Sequence, residues 1–496
     1  MRIFERGPRR VSLPGAGARA FDVAPDTHDV TSIAIAAVAA GTTGVLLAAS
    51  GGLELPAAAI AGVALIAVGV GWPGLFLMVF LLTRPLVAAI SNDQLVHGVA
   101  SGNADGAIAV LLLLITGIAL MSRRAPLIPP ITAPFVLVLI ISGVCAVYAF
   151  ATLGGVVGTD PISEMFRLGA ELAVFLLAAN QVTDATGAER VFVLVGLSAV
   201  VPAVIGVVQW IEGPAFVASL GVARISSTFG GGPNEFAAYM AVCAVLLLGL
   251  PKRLPVWIQV PALSVILLAL IGTYSREGWI MFLIGIVLIG WRRRRGLVLA
   301  AAVLAVGVVI AVPAVRSRVL PSATTNAPSG QTAQTYASFS WRLDTWRILF
   351  DKYLQSPVIG YGLRSTIYVN PRRTTDAGGP SSGFAAHNSF IQILIEGGVV
   401  LLIPYLLLLG SIIRRCLSLA RDRQEPAALA ALGSLLLSLW AIVLIAGLTA
   451  DDTLGETTLM YAMFALLGAL EGARRKARSQ APAFEKRSPD TGVHDG

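Results

Sequence analysis

The feature that most constrains this chain is a succession of apolar segments, each about as long as a membrane is thick. A helix needs roughly 20 predominantly apolar residues to cross a bilayer, and about fourteen such windows follow one another. They are residues 32–50, 55–71, 74–90, 107–121, 131–150, 164–180, 191–210, 234–250, 255–272, 277–291, 296–315, 389–413, 427–448 and 454–470. The mean hydropathy of +0.79 and the charged fraction of only 13% exclude a soluble fold. We therefore predict an all-α integral membrane protein with about 14 transmembrane helices.

The distribution of lysine and arginine predicts the orientation, because positively charged loops stay in the cytoplasm. The N-terminal arm, residues 1–31, and the tail, residues 471–496, are both basic, and an even number of spans places both termini on one side. Connections carrying Arg123, Lys252 and the Arg292 to Arg295 run then fall on that same side. The net charge of +8 follows from this sorting and requires no nucleic-acid partner. The polar tail after Glu471 is predicted to be disordered.

Three cysteines show no spacing typical of disulfides or metal ligands. Cys145, Cys243 and Cys416 lie in or beside predicted spans. We interpret them as small packing residues.

One connection, residues 316–386, is much longer than the others and is predicted to be extracytoplasmic. It holds eight Lys and Arg against three Asp, which indicates an anionic ligand. Leu343, Trp346, Phe350 and Tyr353 recur at helical spacing, and Ser340 stands where a helix cap is expected. This pattern predicts an interfacial amphipathic helix that ends before Pro357.

Three polar residues stand at predicted outer membrane boundaries. His387 is one of four histidines and lies where the long loop meets an apolar segment, so that a titratable imidazole meets both lipid and water. Arg224 precedes a Gly-rich stretch and Asn234, which begins a helix whose amides favour an anion. Arg276 occupies a tight turn between two spans. Each arginine alone is also typical of a snorkelling anchor, whereas all three residues on one side indicate a site.

Two further charges fall at membrane depth, where they need internal partners. Arg84 lies inside the third window and Glu396 about two turns into the twelfth. They are interpreted either as part of the substrate site or as a buried structural pair.

At these positions the chain resembles the superfamily of O-antigen ligases and Wzy-type O-antigen polymerases, which are bacterial membrane glycosyltransferases. The segments that carry the resemblance, within roughly residues 220–410, are Arg224 to Tyr239, Tyr274 to Trp279 with Ser-Arg-x-x-Trp, Arg342 to Gly362 with Pro-x-x-Gly-x-Gly, and His387 to Gly398 with His-Asn and Glu-Gly-Gly. One departure is Leu401, which stands where the family pattern has glycine. The resemblance implies a helical type C glycosyltransferase fold, an active site on the outer face and a place in the bacterial cytoplasmic (inner) membrane.

The residues suit a glycan donor linked through diphosphate to a polyprenol. Arginine binds phosphate oxygens bidentately, so Arg224 and Arg276 are expected to stabilise the departing diphosphate. His387 is expected to accept the proton of the acceptor hydroxyl, in a displacement that inverts the anomeric carbon. Arg342 and Arg347 would guide the lipid diphosphate, and Asn388 would orient the imidazole or cap the following helix. No Asp-x-Asp motif accompanies these residues, so we expect neither a metal nor a cofactor.

Other function classes are distinguished by specific features. A polysaccharide flippase is the alternative, because about fourteen spans suit it too, but flippases typically have two related halves and short loops. A scaffold would not require arginines at two outer turns. Ligase and polymerase share the donor and differ in the acceptor, which is a lipid, a protein or another glycan, so the residues do not separate them.

Overall fold

The structure is a computed structural model that describes residues 66–91, 103–123, 126–213, 224–229, 232–250, 254–290, 296, 333–370, 386–422, 425–448 and 457–480. All regular structure within these ranges is helical, which confirms the predicted class. The α-helices, numbered in chain order, are α1 Pro73–Ser91, α2 Asn103–Met121, α3 Thr132–Leu153, α4 Asp160–Gln181, α5 Ala185–Ser198, α6 Val200–Glu212, α7 Pro233–Gly249, α8 Val256–Gly272, α9 Arg276–Gly290, α10 Ala333–Tyr353, α11 Thr366–Val369, α12 Ser389–Arg421, α13 Ala427–Ala446 and α14 Thr457–Gln480.

Four described helical segments are long and apolar enough to cross a membrane. They are Thr132–Val157, Ala185–Glu212, Ser389–Arg421 and Ala427–Ala446. Shorter apolar helices cover Pro73–Leu86, Ile108–Met121, Pro233–Gly249 and Val256–Gly272. The chain is therefore a multi-pass membrane protein. The arm 1–31, the window 32–50, most of the window 55–71 and nearly all of the window 296–315 lie outside the described residues. The total of about fourteen spans therefore stays a prediction.

The last helix packs against α4 at backbone distance. Gly468 and Gly472 lie four residues apart on α14, and a Cβ on either would collide with carbonyl oxygens of α4 or of its C-terminal cap. Small residues at this spacing let membrane helices approach closely, which favours van der Waals contact where lipid offers no hydrophobic drive for association. Ring contacts, such as Phe135 with Phe464 at 4.8 Å between centroids, extend the contact toward α3.

Disorder is predicted from residue 471 onward, and this prediction is wrong up to Gln480, where α14 ends. Arg474 is buried and donates to Glu425 at 2.6 Å, while Arg415 of α12 pairs with Glu471. These ion pairs hold the last turns of α14 against the α12–α13 connection. Composition alone predicts disorder here, because it shows that the tail is polar and does not show that partners for its charges are nearby. Residues 481–496 lie outside the described residues.

Helix α12 is broken at Gly398, whose φ of 57° is in the left-handed region. The segment 357–362 fills the break and exchanges four backbone hydrogen bonds with α12. The segment donates two, from Tyr361 N to Ile395 O at 2.8 Å and from Gly362 N to Glu396 O at 2.9 Å. Helix α12 donates the other two, from Val399 N to Pro357 O at 3.0 Å and from Val400 N to Val358 O at 3.1 Å. Irregular backbone at membrane depth is tolerated only where other protein groups satisfy it. The Pro-x-x-Gly-x-Gly and Glu-Gly-Gly motifs therefore form one joint.

The helix in the long loop exists, but its predicted start and buried face are partly wrong. It begins at Ala333, so Ser340 lies inside it and does not cap it. Leu349 and Thr345 are fully buried, whereas Leu343 and Phe350 are 37% and 51% exposed. The helix packs on α12 through the side that carries Leu349, so Leu343 and Phe350 are left exposed while Trp346 and Tyr353 are partly buried. The helix ends at Tyr353, before Pro357, as predicted.

The three cysteines are buried and form no disulfide. This confirms their interpretation as packing residues.

Several helix ends that carry the candidate residues lie at one end of the bundle. Helices α7 and α9 run parallel, because a Cβ on Gly278 would lie 2.6 Å from that of Ala237 and one on Gly285 would touch Val245. Both helices therefore begin at the same end of the bundle. Arg276 is the first residue of α9, and Arg224 precedes α7.

Helices α12 and α14 begin at that same end. Pro85 of α1 accepts a 2.6 Å hydrogen bond from Thr228, close to Arg224, and the neighbouring Arg84 lies over Tyr461 near the start of α14. Helix α13 is antiparallel to α14 and so ends there. Ser389 N at the start of α12 donates to Gly447 O just after α13, at 2.9 Å. We call this the His387 end, and the opposite end, where α12 and α14 finish, the Arg475 end.

Candidate functional site

The start of α7 and the turn between α8 and α9 are joined by a hydrogen-bonded junction around Asn234. Arg224 donates from Nε to Thr273 O at 2.8 Å and from Nη2 to Asn234 Oδ1 at 2.6 Å. Ser275 Oγ donates to the same Asn234 oxygen at 3.0 Å. The structure thus brings together Arg224 and Asn234, two of the predicted site residues, although ten residues separate them in the chain.

Arg276 follows this junction directly. It is the first residue of α9 and its side chain is exposed, whereas the preceding Ser275 is buried. The amides at the start of a helix carry a partial positive charge that favours anions. Arg276 therefore adds a full charge beside two helix N-termini, those of α7 and α9.

His387 belongs to a short segment that neighbouring elements hold on both sides. Its φ of 49° is in the left-handed region, and its side chain is half-buried. Before it, Ala386 O accepts a 2.8 Å bond from Trp346 Nε1 of α10. After it, Asn388 Nδ2 donates to Leu448 O at 2.9 Å, beyond the end of α13. The backbone position of His387 is thus set by contacts with α10 and with the end of α13.

Asn388 is the N-cap of α12. Its Oδ1 accepts from Phe390 N at 3.0 Å and from Ile391 N at 3.1 Å, which satisfies two of the amides that a helix start leaves without intrahelical partners. Of the two predicted roles for Asn388, the structure shows capping.

Glu396 is buried, and its partners come from its own helix and from the loop. Its Oε1 accepts from Thr366 Oγ1 at 2.9 Å and from Gln392 Nε2 at 3.0 Å, and the backbone of Arg364 also hydrogen-bonds to the carboxylate. The alternative in which Glu396 pairs with Arg84 is wrong. Residues 364 and 366, which follow the inserted segment, and Gln392 of the same helix supply the donors, and Arg84 is not one of them.

Arg84 is 3% exposed and lies with its guanidinium carbon 5.5 Å from the ring centre of Tyr461. A cation over an aromatic face is attracted by the ring quadrupole, and the attraction is stronger away from water. This contact provides one internal partner for a charge at membrane depth. It ties α1 to α14 beneath the segment that holds Arg224.

The two arginines of α10 differ in their surroundings. Arg347 is 80% exposed and lies 3.6 Å from Asp344, whereas Arg342 is half-buried. An exposed pair of this kind adds little to stability. Neither residue belongs to the Asn234 junction.

Sequence reasoning missed several residues that organise this end, among them Ser275, Arg364, Thr366 and Tyr368. Tyr368 OH donates to Asp160 Oδ2 at the start of α4, at 3.0 Å. Burial, together with this hydrogen bond, raises the pKa of Tyr368. Short polar residues in a loop give no periodic signal. The Ser-Arg-x-x-Trp motif contains Ser275, but it does not indicate that the Ser275 hydroxyl binds Asn234.

The arrangement suits an anion better than a cation. Helix N-termini, Arg224 and Arg276 all lie at the His387 end, together with an imidazole that can exchange a proton. Within the described ranges, no group of three or more His, Cys, Asp or Glu side chains is placed to hold a metal ion.

Comparison with protein families adds an independent finding. Residues 261–406 match the family model described as O-antigen ligase, Wzy_C. This match confirms the resemblance noted from the sequence. The matched stretch contains Arg276, Arg342, Arg347, His387 and Glu396, and it ends before α13. No curated protein sequence matches the chain.

Proposed function

We propose that this membrane protein, whose residues 261–406 match the O-antigen ligase family model, acts in surface polysaccharide biosynthesis and transfers an oligosaccharide from polyprenyl diphosphate to an acceptor hydroxyl. The reaction takes place at the His387 end. The positive-inside rule assigns that end to the extracytoplasmic face, because Arg123, Arg414, Arg421 and Arg475 gather at the other. The acceptor is a lipid, a protein or another glycan.

The observation that carries this proposal is the junction at Asn234, with Arg276 directly beside it. Two helix N-termini and the Arg224 guanidinium meet there, held by Asn234, and the exposed Arg276 follows Ser275 at the start of α9. A diphosphate gains negative charge as its bond to the sugar breaks. Preorganised cations and amide dipoles stabilise that charge without reorganising during the reaction.

The proton of the acceptor goes to His387. As the acceptor oxygen attacks the anomeric carbon, its O–H proton passes to the imidazole, and the bond between that carbon and the diphosphate oxygen breaks. A single displacement of this kind inverts the anomeric carbon. The transfer requires a fixed imidazole, which Trp346 and Asn388 support by holding the residues on either side.

The other predicted residues act around this centre. Arg347 is exposed and Arg342 is half-buried on α10, and in this proposal they meet the lipid diphosphate before it reaches the junction. Arg84 and Glu396 act through the protein framework, as they hold α1 and the broken α12 in place.

The test is transfer of glycan from a polyprenyl-diphosphate oligosaccharide by the purified, detergent-solubilised protein. His387→Asn is the informative variant, because asparagine tolerates a left-handed φ but cannot accept the proton. We expect His387→Asn and Arg276→Ala each to lose about a hundredfold or more in turnover. The matched control Arg421→Ala removes an exposed arginine at the opposite end and should retain full activity.

Two outcomes would count against the proposal. Full transfer by His387→Asn would exclude the imidazole as the base. No transfer by the wild-type protein in detergent, combined with movement of lipid-linked units across vesicles, would assign the chain to the transporters, because transport needs a sealed membrane and group transfer does not.

A further inference from the structure

A cavity of about 230 Å³ opens at the Arg475 end, far from the candidate site. It lies between the last turns of α14, the end of α4 and the residues that follow α2. Its polar and charged lining consists of Arg123, Asn180, Thr183, Arg475, Lys476 and Ser479.

The walls of this cavity are fixed by contacts within the protein. Asn180 accepts from Leu127 N at 2.8 Å and donates to Leu127 O at 2.9 Å, which ties the segment after α2 to the end of α4. Gly472 brings the backbone of α14 against the carbonyls of Ala179 and Val182. The space above these contacts is therefore shaped without a ligand.

The charges around α14 are sorted between its two sides. Toward α12 and α13, Arg474 and Arg478 bind Glu425 and Asp422. Arg415 pairs with Glu471 on the same side.

Toward the cavity, no carboxylate contributes to the lining, although Arg123, Arg475 and Lys476 all do. Asp184, which follows Thr183 in the chain, accepts from Gly187 N as the N-cap of α5. Among the described residues, the cavity lining thus holds three positive charges and no carboxylate.

We propose that this cavity binds the phosphate headgroup of an anionic phospholipid in the cytoplasmic leaflet. The position supports a lipid more than a soluble phosphate, because apolar Leu127 and Val182 line the same space as the cations. Buried apolar residues of α14 continue as far as Ala473, just before the basic turns. Basic pockets between helices at this boundary suit phosphate headgroups, and the positive-inside rule places the Arg475 end in the cytoplasm.

Native mass spectrometry of the purified full-length protein tests this proposal, with dioleoyl phosphatidylglycerol and dioleoyl phosphatidylcholine as probes. We expect the wild-type protein to retain phosphatidylglycerol preferentially. Arg475→Gln/Lys476→Gln should reduce that retention about tenfold, because it removes two of the three cations that line the cavity and would contact the headgroup. The control Arg414→Gln/Arg421→Gln removes two exposed arginines from the same end of α12 and should change retention less than twofold.

Three outcomes would overturn the proposal. One is equal retention of the two lipids by the wild-type protein. Another is an equal loss in both double variants, which would show only a general effect of net charge. The third is displacement of phosphatidylglycerol by millimolar inorganic phosphate, which would assign the cavity to a soluble phosphate compound. Glycan transfer does not enter this measurement, so the outcome is independent of the proposed function.

Discussion

At the scale of single residues, one side-chain oxygen, Oδ1 of Asn234, joins two elements at the His387 end. That oxygen accepts from Arg224 at 2.6 Å and from Ser275 at 3.0 Å, and so links the start of α7 to the turn before α9. A substitution at position 234 can keep this acceptor while adding a negative charge, or remove the acceptor without adding a charge. Substitutions of Asn234 can therefore test the hydrogen-bonded framework and the charge of the site separately.

Asn234→Asp should retain the framework and weaken donor binding. The carboxylate still accepts from Arg224 and Ser275, so the thermal unfolding midpoint should hold. Its negative charge opposes the diphosphate, and we expect KM for the donor to rise about tenfold or more. Asn234→Leu is the converse control, since it leaves two donors without their acceptor and should lower the midpoint. An unchanged KM in Asn234→Asp would place the diphosphate elsewhere.

Asn388 offers a comparable separation at the start of α12. Asn388→Ala loses the cap on Phe390 and Ile391 and should cost about 1–2 kcal/mol of helix stability. Asn388→Asp keeps the acceptor but loses the donor to Leu448 O. Thermal unfolding should rank wild type above Asp and Asp above Ala. If alanine were as stable as aspartate, the cap would contribute nothing measurable.

At the scale of elements, the break in α12 is the most specific feature of the fold. Segment 357–362 and the Glu396–Gly398 region exchange backbone hydrogen bonds, so neither is complete without the other. Gly360 has a φ of 62°, and a Cβ there would collide with the backbone at Ile395. Leu401, which departs from the family pattern, is buried and packs where a Cβ on Gly397 would lie.

Gly360→Ala should therefore be strongly destabilising. The variant combines an unfavourable φ with a backbone collision, so we expect a loss of several kcal/mol, seen as reduced yield and a lower unfolding midpoint. Gly410→Ala in α12 is the matched control, because a Cβ there meets nothing within 4 Å. It should stabilise slightly, by about 0.5–1 kcal/mol. Equal unfolding midpoints for Gly360→Ala and Gly410→Ala would contradict the insertion of segment 357–362 into the break of α12.

At the scale of the whole molecule, the two ends of the bundle have different chemistry. The His387 end holds helix N-termini and the candidate site, and the Arg475 end holds ion pairs and the basic cavity. Because the native cysteines are buried, single introduced cysteines can report on sidedness with little background.

Asp351→Cys on α10 and Arg421→Cys at the end of α12 are both exposed positions. An impermeant maleimide applied to intact spheroplasts should label Asp351→Cys directly and Arg421→Cys only after permeabilisation. The reverse pattern would invert the topology and place the proposed chemistry in the cytoplasm. Labelling both or neither in intact cells would exclude the separation of the two ends by a membrane.

Local pattern was sufficient to predict the helical class, the packing role of the cysteines and the existence of α10. Each of these rests on hydropathy and periodicity within one segment. The buried face of α10 and the end of α14 were predicted less well, because Leu349 and Arg474 owe their burial to α12 and its connection. Periodicity shows which residues share a face and does not show which face has a partner.

The sequence by itself determined that this chain is a membrane protein and which polar residues stand at its boundaries, because hydropathy and charge act on each segment separately. Only the tertiary structure decided that Asn234 joins Arg224 to Ser275, that Glu396 bonds to Thr366 and not to Arg84, and that two glycine motifs form one joint. Those contacts bridge residues up to about forty positions apart. They depend on three-dimensional packing and on the need to satisfy each buried polar group, which no single segment encodes.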